Sequence, residues 1–215
     1  MVVGHHWHFV TLLALWCTGA AAMLHLSYAS NDYACFGKDE TGHVPFLYTL
    51  AFLPYLIPLN LRQLGLTGFG RKAPWNKLCE GIWIGRRPSN PKRFPEGIAV
   101  CVDLAAEFPS SAFIRSWRGR YVSFPILEAS VRSVDDLVRC IDSLPADGLY
   151  IHCAQGHGRT GFFACAFLLR RGIVKSLPQA EAMVIHARPD IKLRRAQREF
   201  LLAHETDIFA VGNRG

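Results

Sequence analysis

Ile151-His152-Cys153-Ala154-Gln155-Gly156-His157-Gly158-Arg159-Thr160-Gly161 is a cysteine, five residues and an arginine set between two apolar runs. Strand-like Gly148-Leu149-Tyr150-Ile151-His152 precedes it, and Gly161-Phe162-Phe163-Ala164-Cys165-Ala166-Phe167-Leu168-Leu169 follows as an apolar helix. A loop of this kind between strand and helix suits covalent chemistry on a phosphate monoester. The nucleophile would be Cys153 as its thiolate. Glycines let the backbone curl, so the N–H groups of Ala154, Gln155, Gly156, His157 and Gly158 can turn inward as an anion cradle. Arg159 would close that cradle with a planar fork that matches two phosphate oxygens. The positive end of the following helix also favours an anion there. Taken singly, a cysteine is most often a small buried hydrophobe and a glycine marks a turn. The combination, in its strand–loop–helix setting, points to a site.

Outward from this loop, short β-branched and apolar runs predict strands at 81–85, 98–104, 121–125 and 149–152. Apolar residues at a helical period predict a helix over 134–144, and the run from 161 to 171 predicts a buried one with Gly172 as its C-cap. Further helices are expected from 176 to about 187 and over 196–209. Strands alternating with helices predict an α/β fold, with a mainly parallel central sheet flanked by helices. Cys153 would then sit at the carboxyl end of a strand, where open α/β sheets bind ligands.

The His-Cys-five residues-Arg-Thr-Gly pattern resembles the signature of the cysteine-dependent protein tyrosine phosphatase superfamily, over roughly residues 75–209. Ile82-Trp83-Ile84-Gly85-Arg86 and Val100-Cys101-Val102-Asp103-Leu104 look like the first two strands of its dual-specificity branch. Arg188-Pro189-Asp190-Ile191 looks like the segment after its long helix. The resemblance implies that Cys153 attacks phosphorus and that Arg159 holds the equatorial oxygens. It implies that Thr160 donates its hydroxyl to the cysteine sulfur, and that His152, behind the loop, favours the thiolate. The family's general acid is an Asp on a nearby loop. Here the matching loop, Phe124-Pro125-Ile126-Leu127-Glu128-Ala129-Ser130, carries Glu128 instead. The extra methylene moves the donor, and displacements of about 1 Å can cost on the order of 100-fold in rate. Asp135 and Asp136 are fallback donors but read as capping acids of a helix, and Asp103 reads as structural. The two-step cysteine mechanism implies no metal or organic cofactor.

Charge and cysteine usage narrow the setting. The chain of 215 residues has a formal net charge of +7, with 20 of its 24 Lys/Arg in residues 73–215. A basic domain suits an anionic substrate or membrane face, while nothing resembles a nucleic-acid-binding motif. Seven cysteines in no regular framework fit a reducing compartment rather than a disulfide scaffold or a zinc site. Cys101 is either a buried strand cysteine or a partner that protects Cys153 by a reversible disulfide.

Residues 1–72 read as a membrane region ahead of the phosphatase-like domain, 73–215. Residues 9–28 contain no Asp, Glu, Lys or Arg and would make a helix about 30 Å long, the thickness of a bilayer core. A second uncharged run, 45–61, contains Pro45, Pro54 and Pro58, which would kink a span or make it re-entrant. Two spanning helices joined by a short, acidic outer loop (31–43) is the expected arrangement. A cleaved signal sequence with one span, and a hydrophobic cap on a soluble domain, are the alternatives. Arg62, Arg71 and Lys72 after the second run place the phosphatase domain on the cytoplasmic side. The expected substrate is a phosphoprotein or a phospholipid such as phosphatidylglycerophosphate. Lysines that would meet a polyphosphorylated inositol are missing from the loop. A catalytically weak phosphate-binding adaptor is the competing function, motivated by Glu128. Sulfur transfer is disfavoured by the Arg-Thr-Gly ending of the loop.

Overall fold

The computed structural model describes residues 3–68 and 73–209; the boundary expected at 65–74 therefore lies partly outside the described residues. Five strands, β1 (Trp75–Cys79), β2 (Ile82–Arg86), β3 (Val100–Ala105), β4 (Arg120–Ile126) and β5 (Leu149–Cys153), form one sheet in the order β1-β2-β5-β3-β4. β2, β5, β3 and β4 run parallel, and β1 closes one edge antiparallel to β2. The sheet is thus mixed, with an antiparallel edge that periodicity did not reveal. β1 reads Trp-Asn-Lys-Leu-Cys and buries only Leu78, so it carries little apolar signal. The central β3 and β5 are buried along their whole length, which explains their unbroken apolar runs.

One face of the sheet is covered by α6 (Gly158–Arg170), buried from Arg159 onward, with Phe162, Phe163 and Phe167 in the main core. Around α6 pack α5 (Val134–Asp142), α7 (Leu177–Ala187), α8 (Arg195–Ala203) and α9 (Glu205–Phe209). The last two replace the continuous helix expected over 196–209 and break at His204. On the other face, short α4 (Ala112–Ser116) joins Cys101 and Tyr150 in an aromatic cluster with Phe94 and Trp117. This separates Cys101 from Cys153. Cys101 lies opposite Tyr150 in register and in this cluster, whereas Cys153 belongs to the core on the opposite face. A protective disulfide between them is therefore excluded by geometry.

At the N-terminus, α1 (Val3–Ala29) is, among the described residues, the one helix long and apolar enough to cross a membrane. The second expected span is not one helix. It is α2 (Phe46–Ala51) and α3 (Leu53–Gly68), broken at Phe52, and neither reaches the ~20 residues a span needs. Pro54 has no N–H for the carbonyl of Leu50, and its ring crowds that carbonyl, so the first helix ends just before it. Pro58 remains inside α3.

The acidic loop between them does not face away from the sheet; it packs onto its end. Lys38 is buried, with Nζ 2.8 Å from Asp103 Oδ2 and 2.6 Å from the Ala105 carbonyl. Asn31 Nδ2 donates to the Val131 carbonyl, and Ser110 N donates to the Gly42 carbonyl. Arg132 stacks 3.8 Å over the Tyr33 ring. Phe36, Phe52 and Leu56 form a second small core with Ala106 and Leu127, just beyond the ends of β3 and β4. A loop on the far side of a bilayer could make none of these contacts. Loop and sheet therefore lie together, and the described residues hold one helix of spanning length rather than the two expected.

Candidate active site

β5 delivers Cys153 at its carboxyl end, in the middle of the sheet, and residues 154–157 turn from there into α6. The turn is held from outside by its carbonyls. Arg87 N–H donates to the Ala154 carbonyl (3.2 Å). The buried Arg188 donates through Nη2 to Gln155 O (3.3 Å) and through Nε to Gly156 O (2.9 Å). Arg188 is itself anchored on Asn76 Oδ1 at 2.7 Å. With three successive carbonyls drawn outward, N–H groups are left to turn inward. Gly156 N–H points at Cys153 Sγ, 3.2 Å away.

Gly156 is required here twice over. Its φ is +72°, a left-handed conformation that L side chains rarely adopt. A Cβ at this position would strike the Gly85 carbonyl group and lie 2.8 Å from Arg86 N. The loop is therefore pressed directly against the end of β2.

Arg159, in the first turn of α6, is 4% exposed, and its guanidinium meets Glu107 in a two-pronged ion pair with both distances 2.6 Å. Nη1 also donates to the Ile126 carbonyl at 3.0 Å. Three of the five guanidinium N–H groups are used this way. Burial works against the charge on Arg159, but Glu107 outweighs it and keeps the group cationic. Glu107 was not singled out in the sequence. Its signal was weak: an acid three residues past the apolar run Val100-Cys101-Val102-Asp103-Leu104, at the same end of the sheet as Cys153.

His152 is buried behind the loop, Nδ1 lying 3.2 Å from the Cys153 carbonyl and 3.7 Å from Asp103 Oδ1. Burial depresses its pKa more than Asp103 raises it, so the ring is neutral. Any support for a thiolate from His152 therefore comes through backbone orientation, not through a positive charge. Asp103 receives the Lys38 ammonium, the Tyr121 hydroxyl at 2.8 Å and the Ala105 N–H at 2.9 Å. Burial alone would raise its pKa, but the Lys38 ammonium holds it well below the usual carboxylate range. Asp103 is thus structural. Thr160 Oγ1 is buried without a hydrogen-bond partner, so the bond to the cysteine sulfur implied by the family is not made; the N–H that reaches this sulfur is that of Gly156.

A cavity of about 220 Å³ opens over the loop and is lined by Cys153, Gln155 and His157. Three carboxylates line it: Glu107, Glu128 and Asp190. Glu107 is committed to Arg159. Glu128 sits beside Ala129, whose φ of +63° turns the chain sharply after β4, and lies 4.0 Å from Arg194. Asp135 and Asp136 stand at the start of α5, where Asp136 is bound by Arg132 and the Ser133 cap, away from the cavity. The cavity's other walls include Leu59 and Arg62 of α3, and Lys192 and Arg194.

The fold recurs in solved structures. Tk-PTP in its active form superposes with a TM-score of 0.54 at 23% identity, covering 61% of this chain and 96% of that one. PTPMT1 in complex with PI(5)P gives 0.56 at 15% identity, covering 65% and 99%. Human DUSP28 gives 0.51 at 15% identity, covering 64% and 96%. At these identities the likeness establishes the fold. No curated protein sequence matches. The model of the Swiss Army Knife protein DSP-PTPase phosphatase domain matches residues 92–211, more than half of the chain, and the chain belongs to that family of dual-specificity-type phosphatase domains.

Proposed function

We propose that this chain is a membrane-anchored phosphomonoesterase that works through a cysteinyl-phosphate intermediate on phosphoprotein or phospholipid. The observation that carries the reading is one cavity that brings together Cys153, the curled loop, Arg159 and Glu128. In the first step the Cys153 thiolate attacks phosphorus. The S–P bond forms, the bond from phosphorus to the leaving oxygen breaks, and the Glu128 carboxyl gives that oxygen its proton. In the second step Glu128, now a carboxylate, takes a proton from water as the water oxygen attacks phosphorus. The S–P bond breaks, phosphate leaves and the thiolate returns. The N–H groups of residues 154–158 and the remaining N–H groups of Arg159 bind the charge that develops on the phosphoryl oxygens. Glu107 holds Arg159 in place for this, and Arg188 holds the loop.

α1 is the anchor in this reading, with the phosphatase domain on the cytoplasmic side. Support comes from the exposed apolar side chains of α1 and from seven unpaired cysteines. The test is phosphate release by the full-length protein in vesicles, from a soluble aryl phosphate. Cys153→Ser should abolish turnover; turnover that survives overturns the cysteine mechanism. Glu128→Gln should remove the proton donor and lower kcat by about 10²–10⁴-fold, least for a good leaving group. A loss in Asp190→Asn instead, with Glu128→Gln unaffected, would move the acid to Asp190. The adaptor reading predicts little turnover in the unaltered protein and a gain in Glu128→Asp.

A further inference from the structure

α2 and the first two turns of α3 carry apolar residues on their outward side as well as their inward one. No Asp, Glu, Lys or Arg occurs from Val44 to Leu61. Phe52 and Leu56 face inward and pack against Phe36, Ala106 and Leu127. The outward residues should then be polar if this were a soluble cap. Instead Phe46 and Leu47 are each 74% exposed, and Leu50, Ile57 and Leu61 are exposed as well. This surface is continuous with α1. Trp16, in the middle of α1, donates through Nε1 to the carbonyl of Ala51 at the α2–α3 break, 3.3 Å away. Trp7, Phe9, Leu12 and Leu15 of α1 are 64–70% exposed on several sides of the helix. A second copy or a protein partner would cover one side of α1; a bilayer covers all of them.

If α1 lies in the hydrocarbon, the outward face of the α2–α3 break meets that hydrocarbon too, while inward-facing Phe52 stays packed on Ala106 and Leu127 at the end of the sheet. The chain then descends along α3, and the first charge it meets is Arg62. Leu59 and Arg62 line the Cys153 cavity, while Leu59 also packs against Phe108 and Ala154 of the catalytic domain. Lys192 and Arg194 add two more cations to the lining of the same cavity. Cations that close an apolar run mark head-group level, where they meet anionic lipid. One helix therefore leads from hydrocarbon to the cradle within a few turns.

We propose that the α2–α3 hairpin dips into the bilayer beside α1 as a collar and sets the mouth of the cavity at head-group level, so that the substrate is a phosphomonoester on a membrane glycerolipid. Its phosphate enters the cradle past Arg62, and its apolar remainder stays along α2 and α3. The inference rests on the reading of the Cys153 loop as a phosphatase site, and it goes further by assigning α2–α3 a role in catalysis beyond anchoring.

The experiment compares the full-length protein with the double variant Phe46→Glu/Leu47→Glu, whose two positions are exposed and outside the cavity. Each protein is given phosphatidylcholine vesicles carrying phosphatidylglycerophosphate, a phosphotyrosyl peptide, and a soluble aryl phosphate. The collar predicts that lipid turnover in the double variant falls about tenfold or more while aryl phosphate turnover stays within about twofold. It also predicts that the unaltered protein prefers the lipid to the peptide. Equal lipid turnover in both proteins, or a preference for the peptide, overturns the collar and leaves the phosphatase reading standing. Loss of aryl phosphate turnover in the unaltered protein would instead count against the phosphatase reading. A binding readout independent of catalysis accompanies it. In a Leu47→Trp variant, brominated-chain phosphatidylcholine should quench the added fluorescence, and no added quenching would place α2 in water and overturn the collar.

Discussion

Lys38 is the residue whose removal should reveal that head and catalytic domain are one unit. Its ammonium and the Asp103 carboxylate are essentially buried, with 0% and 1% of the side chains exposed. Lys38→Met keeps the length of the apolar stem but strands Asp103 as a buried carboxylate with only the Tyr121 hydroxyl and the Ala105 N–H. Breaking a buried pair in this way costs about 3–5 kcal/mol. For a chain of this size, at about 2–4 °C per kcal/mol, that is a fall in Tm of roughly 6–20 °C. The cost must depend on pH, because Asp103 faces Lys38 from the head loop, Tyr121 from β4 and His152 from β5, with Arg87 also in range. In the variant, relief comes from protonating either Asp103 or His152. The penalty should be full near pH 8 and shrink as the pH falls below about 6.5, the ordinary histidine value. Near-ultraviolet circular dichroism melts of the reconstituted protein at both pH values would read it. Lys38→Met/Asp103→Asn, which removes both charges, should recover much of the loss. A shift of less than about 2 °C at pH 8, or a double variant no better than the single one, would refute the argument.

Three further outcomes are expected. Glu107→Gln removes the charge that fixes the Arg159 fork, so kcat should fall about 10–100-fold with Tm changed much less; a kcat within twofold would show that Arg159 is placed by the Ile126 carbonyl alone. Gly156→Ala forces a Cβ into the Gly85 carbonyl at φ +72°, so the cradle must open and kcat/KM should fall about 100-fold or more, measured on a soluble aryl phosphate. The unaltered protein should lose stability between pH 7 and 5. The depressed pKa of His152 contributes stability that is complete above about pH 6.5 and is lost as the pH falls toward the folded-state value, whereas Asp103, held low, loses its contribution only below the ordinary carboxylate range. Melts of His152→Gln should show a flatter pH slope over that window, and an unchanged slope would assign the loss elsewhere.

What the sequence made legible, and what it hid, follows from how each feature is encoded. The loop from Cys153 to Arg159 was legible because its parts are contiguous: the turn, the cradle and the helix that follows all lie within one short stretch. β3, β5 and α6 were legible because burial on all sides forces unbroken apolar runs. β1 was not, because an edge strand with one buried side chain leaves no period to read. Glu107 and Arg188 act on the loop across 52 and 32 residues of chain, and a lone acid or arginine carries no mark of a distant partner.

Lys38 is the instructive case. It is the one lysine in a loop with three acids, Asp32, Asp39 and Glu40, and the loop was expected outside, between two spans. The structure turns that around: that cation is the residue that leaves solvent, to neutralise Asp103, which pairs with His152 next to Cys153. That pairing fixes the loop to the sheet, and the fixed loop in turn places α3 against Ala154 and its cations at the rim of the cavity. An anchor needs only an apolar helix and a linker. A head joined to the sheet by a buried ion pair, and contributing a wall of the cavity, is instead part of the catalytic unit. Separating it by truncation before residue 73 should therefore impair turnover even of a soluble substrate.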